Sequence, residues 1–124
     1  MDYPSELKYN KEHLWFKFEG KTVTIGITDF AQDQLGDLLF VELPEEGDAF
    51  TQGEEFSVVE SSKQASSLIA PFGFKVLESN EKLDEEPEYI NEKPYDGWIV
   101  KAEVTDEEGM DSLVDVAEYE NSLE

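Results

Sequence analysis

Apolar residues in this chain fall mostly in short clusters that repeat every second position, and this periodicity constrains the fold more than any other feature of the sequence. Val23, Ile25 and Ile27 alternate with Thr22, Thr24 and Gly26, while Trp98, Val100, Ala102 and Val104 alternate with Ile99, Lys101 and Glu103. Side chains two apart lie on the same side of an extended chain, so each segment predicts a strand with one face buried. Further strands are predicted over 38–43, 56–61, 67–70 and 74–79, divided by turn material such as Pro44-Glu45-Glu46-Gly47-Asp48 and Gln52-Gly53. Short strands at this spacing predict a mainly β fold, a sandwich or barrel. The 124 residues suffice for one domain, 1–124, with its own core.

Helical signals are fewer. Thr28 is placed to cap a short helix through Phe30, Ala31 and Leu35, with Gly36 at its end. Met110, Leu113, Val114 and Ala117 recur at i, i+3, i+4 and i+7, which predicts a C-terminal helix, and Thr105 and Glu108 have the spacing of a capping box. Residues 80–94, acidic and holding Pro87 and Pro94, predict a long ordered loop with one helical turn over 88–91. Phe56-Ser57-Val58-Val59-Glu60-Ser61 is echoed by Phe74-Lys75-Val76-Leu77-Glu78-Ser79. If the echo marks two pseudo-symmetric halves, residues 62–69 form the crossover between them.

Charge narrows the function classes. Nine lysines, no arginine and 31 acidic residues give a net charge of −22, a surface that a duplex or an anionic bilayer repels. No nucleic acid and no membrane partner is expected. Without an arginine fork, anionic metabolites are poor candidate substrates. The absence of cysteine removes disulfides, thiolate metal sites and thiol nucleophiles, and a single histidine, His13, excludes a His cluster for zinc. The first six residues are neither basic nor apolar, and the longest aliphatic and aromatic run, Leu38-Leu39-Phe40-Val41, is far too short to span a bilayer. A cytoplasmic location is expected, or the mitochondrial matrix if a transit peptide has been removed. Such acidity alone is compatible with disorder, but 12% aromatic and 39% hydrophobic residues in clusters predict a packed core. A monomer is the default expectation.

The usual catalytic templates are missing: there is no Gly-x-Ser-x-Gly elbow, phosphate loop, dinucleotide fingerprint or calcium loop. Carboxylate pairs carry no information among 31 acids. His13, beside Trp15, reads as a hydrogen-bonded structural residue rather than a catalyst. Lys63 is more conspicuous, because it is the one basic residue between Lys21 and Lys75. It sits in Glu60-Ser61-Ser62-Lys63-Gln64-Ala65-Ser66-Ser67, a polar link between two predicted strands, which places its amine at an expected hairpin tip where a flexible four-carbon stem reaches solvent. On placement alone, a solvated lysine that aids solubility remains the simpler account.

The run from Gly26 through Thr28-Asp29-Phe30-Ala31-Gln32 to Leu35-Gly36-Asp37, followed by Phe40-Val41-Glu42-Leu43-Pro44 and Gly47, closely resembles the H-protein family of the glycine cleavage system. Val59-Glu60-Ser61-Ser62-Lys63, with Ala65-Ser66 and Ala70-Pro71, resembles that family's lipoylation motif. Tyr9 with His13 and Trp15, Val76 with Asn80 and Leu83, Pro87-Glu88 with Ile90-Asn91, Pro94-Tyr95 and Gly97-Trp98 extend the likeness over nearly the whole chain. The resemblance implies a barrel-sandwich hybrid with short helices, including a C-terminal helical segment, and a carrier rather than an enzyme. It implies lipoate in amide linkage to Lys63, with Glu60 as a neighbour within the modification motif. It further implies work between a pyridoxal-phosphate glycine decarboxylase, an aminomethyltransferase and dihydrolipoyl dehydrogenase, after loading by a lipoate ligase or lipoyl transferase. The hard chemistry then belongs to the cofactor and those partners.

The chain departs from the family pattern at a few positions. Leu14 and Ser67 stand where the family has a glutamate and an aspartate that shelter a cationic aminomethyl group. Poor loading by the decarboxylase or faster release of the aminomethyl group is therefore expected, with Glu12 as the nearby acid able to substitute. Gln34 replaces a histidine found in some members, Gly73 is displaced by one place, and Ser62 and Gln64 flank Lys63 where small apolar residues are usual. The alternatives are a lipoyl relay or divergent carrier for another system, and an acidic adaptor that is never modified.

Overall fold

A computed structural model describes residues 3–123. Its strands are β1 (Lys8–Tyr9), β2 (Leu14–Glu19), β3 (Thr22–Ile27), β4 (Leu38–Val41), β5 (Ala49–Phe50), β6 (Glu55–Ser61), β7 (Ala65–Ile69), β8 (Gly73–Ser79) and β9 (Val100–Asp106). They form two antiparallel sheets, one of six strands in the order β1-β2-β3-β9-β8-β5 and one of three in the order β4-β6-β7. All six predicted strands are present, whereas β1, β2 and β5 were not anticipated. Trp98 and Ile99 lie before β9, where they bond to Asn80, and Ile99 also donates its N–H to Ile25 O.

Between the sheets lies a core that includes Leu14, Phe16, Ile25, Phe56, Val59, Phe72, Phe74 and Val76. A second cluster on the outer side of the large sheet joins Leu7, Tyr9, Trp15 and Tyr119. It corrects the expectation that β3 buries one face. Val23, Ile25 and Ile27 point into the core, but Thr24 and Gly26 are buried as well. The Trp15 ring covers Gly26 so closely that a Cβ there would lie 2.6 Å from it. The indole is fixed by a 3.1 Å bond from Nε1 to Pro94 O.

The helices are α1 (Asp29–Leu35), α2 (Lys82–Glu85), α3 (Tyr89–Glu92) and α4 (Val116–Ser122). Helix α1 starts and stops as predicted, with Thr28 Oγ1 accepting from Ala31 N–H and Gly36 closing the C-terminus at φ +82°. The 80–94 segment holds two helical turns instead of one. The predicted single C-terminal helix is divided into a 3-10 turn over Met110–Ser112, an extended break and α4. Two contacts break it. Val114 pairs with Tyr9 in both directions, and Gly109 (φ +99°) lies so close to Pro71 O that no side chain fits. Met110 and Leu113 consequently pack on the main core, Val114 joins the aromatic cluster and Ala117 is exposed. The capping box does not form either: Thr105 belongs to β9, and Glu108 N–H bonds to Asp106 Oδ1.

The expected crossover over 62–69 is also corrected. The chain turns back immediately after β6, and β7 pairs with it from Glu60↔Ala65 to Glu55↔Ile69. Passage to the other sheet comes later, between β7 and β8. The echoed phenylalanines, Phe56 and Phe74, meet across the core edge to face at 5.3 Å between ring centroids.

Candidate functional site

The β6–β7 hairpin closes through Ser62 and Lys63. Its first bond runs from Ser61 N–H to Gln64 O at 2.8 Å. Two-residue hairpin loops usually need positive φ, yet His13 alone among the described non-glycine residues has it. The Ser61 side chain compensates, because its Oγ accepts from the N–H groups of both Lys63 (3.2 Å) and Gln64 (3.3 Å). A serine at the strand end thus substitutes for missing backbone closure and holds Lys63 at the tip. Ser62, Lys63 and Gln64 are all exposed.

The lysine stem lies against the end of α1. Lys63 Cε and Nζ are 3.5 and 3.6 Å from the place a Cβ on Gly36 would occupy. Asn91, on α3, fixes that corner. Its Nδ2 donates to Gly36 O and to Gln32 Oε1, and its Oδ1 accepts from Leu38 N–H, each at 2.9 Å. Leu38 in turn pairs with Ser61 at the base of the hairpin. Sequence reasoning matched Asn91 to the family without giving it a role; a lone asparagine just before a turn carries no signal of three such partners.

Glu60 is exposed and stands between Phe40 and Ala65 in adjacent strands. Ser67, opposite Val58, shares this outward face and is exposed too. Leu14 is elsewhere, on β2, with none of its surface exposed and its side chain in the main core. The two positions that lack family carboxylates therefore lie in different sheets, one inside and one outside. Gln34 and Glu12 are exposed.

His13 is held in the aromatic seam, as its sequence context predicts. Its Nδ1 is 2.8 Å from Tyr119 OH, which is 2.8 Å from Thr28 Oγ1, and its ring packs 4.7 Å from Phe30. Burial lowers its pKa, with Glu12 opposing, and burial pushes Tyr119 up to about 12.

Two sheets closed over one core, with a single lysine raised on a serine-braced hairpin, define a barrel-sandwich fold with a presented amine. Residues 7–124 match the glycine cleavage H-protein family, and the chain belongs to it. It is 57% identical over 120 residues to a glycine cleavage system H protein of Clostridioides difficile, covering 96% of both chains. A Staphylococcus haemolyticus protein of the same description is 52% identical over 124 residues, covering 99% of this chain and 98% of the relative. The crystal structure of a glycine cleavage system H protein from Mycobacterium marinum superposes with a TM-score of 0.87 at 34% identity, covering 98% of each chain.

Proposed function

We propose that this chain is a lipoyl carrier of glycine cleavage, with lipoate amide-linked to Lys63. It would serve a pyridoxal-phosphate decarboxylase, an aminomethyltransferase and dihydrolipoyl dehydrogenase in turn. The observation that carries this reading is Lys63 itself, exposed at a hairpin tip whose backbone is tied down by Ser61. The site suits an acyl group: the amine has solvent on the outer side, a glycine without side-chain bulk beneath it, and exposed neighbours. Attachment forms an amide between Nζ and an activated lipoyl carboxyl carbon, expelling the activating group and a proton and removing the ammonium charge. When bound, lipoate supplies a two-electron disulfide–dithiol couple and a sulfur that can hold a one-carbon amine. The chain's own part is to hold the stem firmly at its root and leave its length free. Thirty-one acids add a field that steers basic partner faces toward it.

Intact mass spectrometry tests this reading. Incubation with lipoate ligase, ATP and lipoate should add one lipoyl group, and none to Lys63→Ala. Modification at another lysine, or none under conditions that modify an ordinary H protein, defeats the carrier reading and favours the adaptor. A divergent carrier has one specific support, because Leu14 in the core and the Ser67 hydroxyl provide no carboxylate for a cation. Ser67→Asp, which is exposed, should lengthen retention of the aminomethyl group; Leu14→Glu is unsuitable because it would bury a charge in the core.

A further inference from the structure

Among the described residues, three large apolar side chains are exposed: Leu39 at 63%, Phe40 at 48% and Leu77 at 44%. The first two are adjacent, and a backbone irregularity puts them there. In β4 the register shifts between Leu38 and Phe40, so that Leu38 and Val41 point inward while Leu39 and Phe40 both remain outside. A regular strand would have turned one of them into the core. Bulges re-aim side chains in this way, commonly beside functional sites. Here β4 is also an edge strand, paired on one side only, with β6.

We propose that Leu39 and Phe40 form the apolar centre of the docking surface for the enzyme that attaches lipoate to Lys63. This rests on the reading of Lys63 as the attachment site. Placement favours that occupant: Phe40 is opposite Glu60, Leu38 is opposite Ser61, and the Lys63 stem lies on Gly36. An attaching enzyme must bring its activated acyl group to the bare amine, so its active-site mouth comes within a lysine length of Gly36 and the surface around that mouth covers the adjacent strands. Partners that act on the loaded arm meet its far end and can stand further off. Charge defines the complementary face. Asp37 and Glu42 flank the strand and Glu60 stands opposite Phe40, all exposed, so the partner should present an apolar pocket inside a rim of lysine or arginine.

The test is the kinetics of lipoylation of the full chain by a lipoate ligase with ATP and lipoate, comparing the parent with Leu39→Ser/Phe40→Ser and with Leu77→Ser. The double variant should raise KM for the carrier about tenfold, as loss of a central apolar anchor does, with the maximal rate nearly unchanged. Leu77→Ser, on the other sheet, should behave as the parent. Thermal melts should stay cooperative and fall only modestly, because Leu39 is mostly exposed and Phe40 about half exposed. An unaltered KM, an equal loss in Leu77→Ser, or an equal loss when dihydrolipoyl dehydrogenase acts on already lipoylated variants would overturn the proposal while leaving Lys63 modified. A parent chain that accepts no lipoate would overturn both this inference and the carrier reading.

Discussion

Strands β6 and β8 carry nearly the same six residues and end differently. Each has a buried phenylalanine as its second residue, each lies between two neighbours in its sheet, and each finishes Glu-Ser. After Ser61 the chain turns through two exposed residues and presents Lys63. After Ser79 it is tied down: Ser79 Oγ donates to Pro44 O, Asn80 bonds to both Trp98 and Ile99, and α2 buries Leu83. The positions of the bulges separate them further. Against β7, β6 shifts register near its start, between Glu55 and Ser57, which leaves Val59 inside; against β9, β8 shifts at its start, between Gly73 and Phe74, and again between Val76 and Glu78, where Leu77 and Glu78 are left outside. A strand end becomes a presenting site when nothing packs over it, and similar sequence does not decide that.

The strongest test of equivalence is at the shared phenylalanines. Phe56→Ala and Phe74→Ala should each cost about 3–5 kcal/mol in denaturant unfolding. Phe74 should sit at the upper end, because its ring also meets Phe72 as well as Phe50 and Phe56. The double variant should lose less than the sum, since the two rings touch. Strict additivity would break the view that the two strands share one core contact.

The serines come next. Ser57 and Ser79 donate to Glu42 O and Pro44 O, so one serine hydroxyl from each sheet reinforces the backbone bonds that tie the segment between β4 and β5 to Val58 and to Val76. Ser57 has no exposed surface, and Ser57→Ala should destabilise by about 1–3 kcal/mol. Half-buried Ser79→Ala should cost about 0.5–1.5 kcal/mol. The reverse order in chemical denaturation would mean that the six-stranded side carries the fastening.

These contrasts also show what the sequence could reveal. Helix α1 was legible because its cap and stop act within a few residues, and Lys63 was legible as a hairpin tip because polar residues separate two short apolar runs. The order 110, 113, 114, 117 has the helical period but is not one helix, since Tyr9 and Pro71, remote in sequence, take hold of Val114 and Gly109. Strand β2 escaped because Leu14, Trp15 and Phe16 are all buried, on two faces with different covers, so alternation disappears. The exposed pair in β4 had a trace, four apolar residues in a row between Asp37 and Glu42, but only the register shift assigns two of them outward.

A smaller effect should separate the two strand ends. Ser61→Ala removes the acceptor for Lys63 and Gln64 N–H groups at an exposed turn, so stability should change by no more than about 0.5 kcal/mol. Hydrogen exchange at those two amides should nevertheless accelerate clearly. Ser79→Ala should do the opposite, lowering stability without speeding exchange at the hairpin. If Ser61→Ala leaves the Lys63 amide as protected as in the parent, the serine brace is not what holds the tip.

The smallest expected effect lies outside both strands and asks whether the hairpin is insulated from the aromatic seam. His13 is held by Tyr119 and Phe30, with the carboxylate of Glu12 nearby, and burial places its folded pKa below 6.5. As pH falls through about 6.5 the unfolded chain takes up this proton before the folded one does, so the native state loses stability. The loss stops growing once pH passes below the folded value, and above about pH 7 the group contributes nothing. Many carboxylates titrate lower down, so the histidine share is read from the difference between the parent and His13→Asn, a replacement that tolerates the φ of +67°. The parent should soften relative to the variant below pH 6.5 and match its pH dependence above pH 7. Exchange should quicken at the Tyr9 and Val114 amides, which join the seam, and not at Lys63 or Gln64. Acid-induced exchange at the hairpin that disappears in His13→Asn would show that Tyr119, Thr28 and α1 transmit the change as far as Gly36, and the two regions would then have to be treated as one.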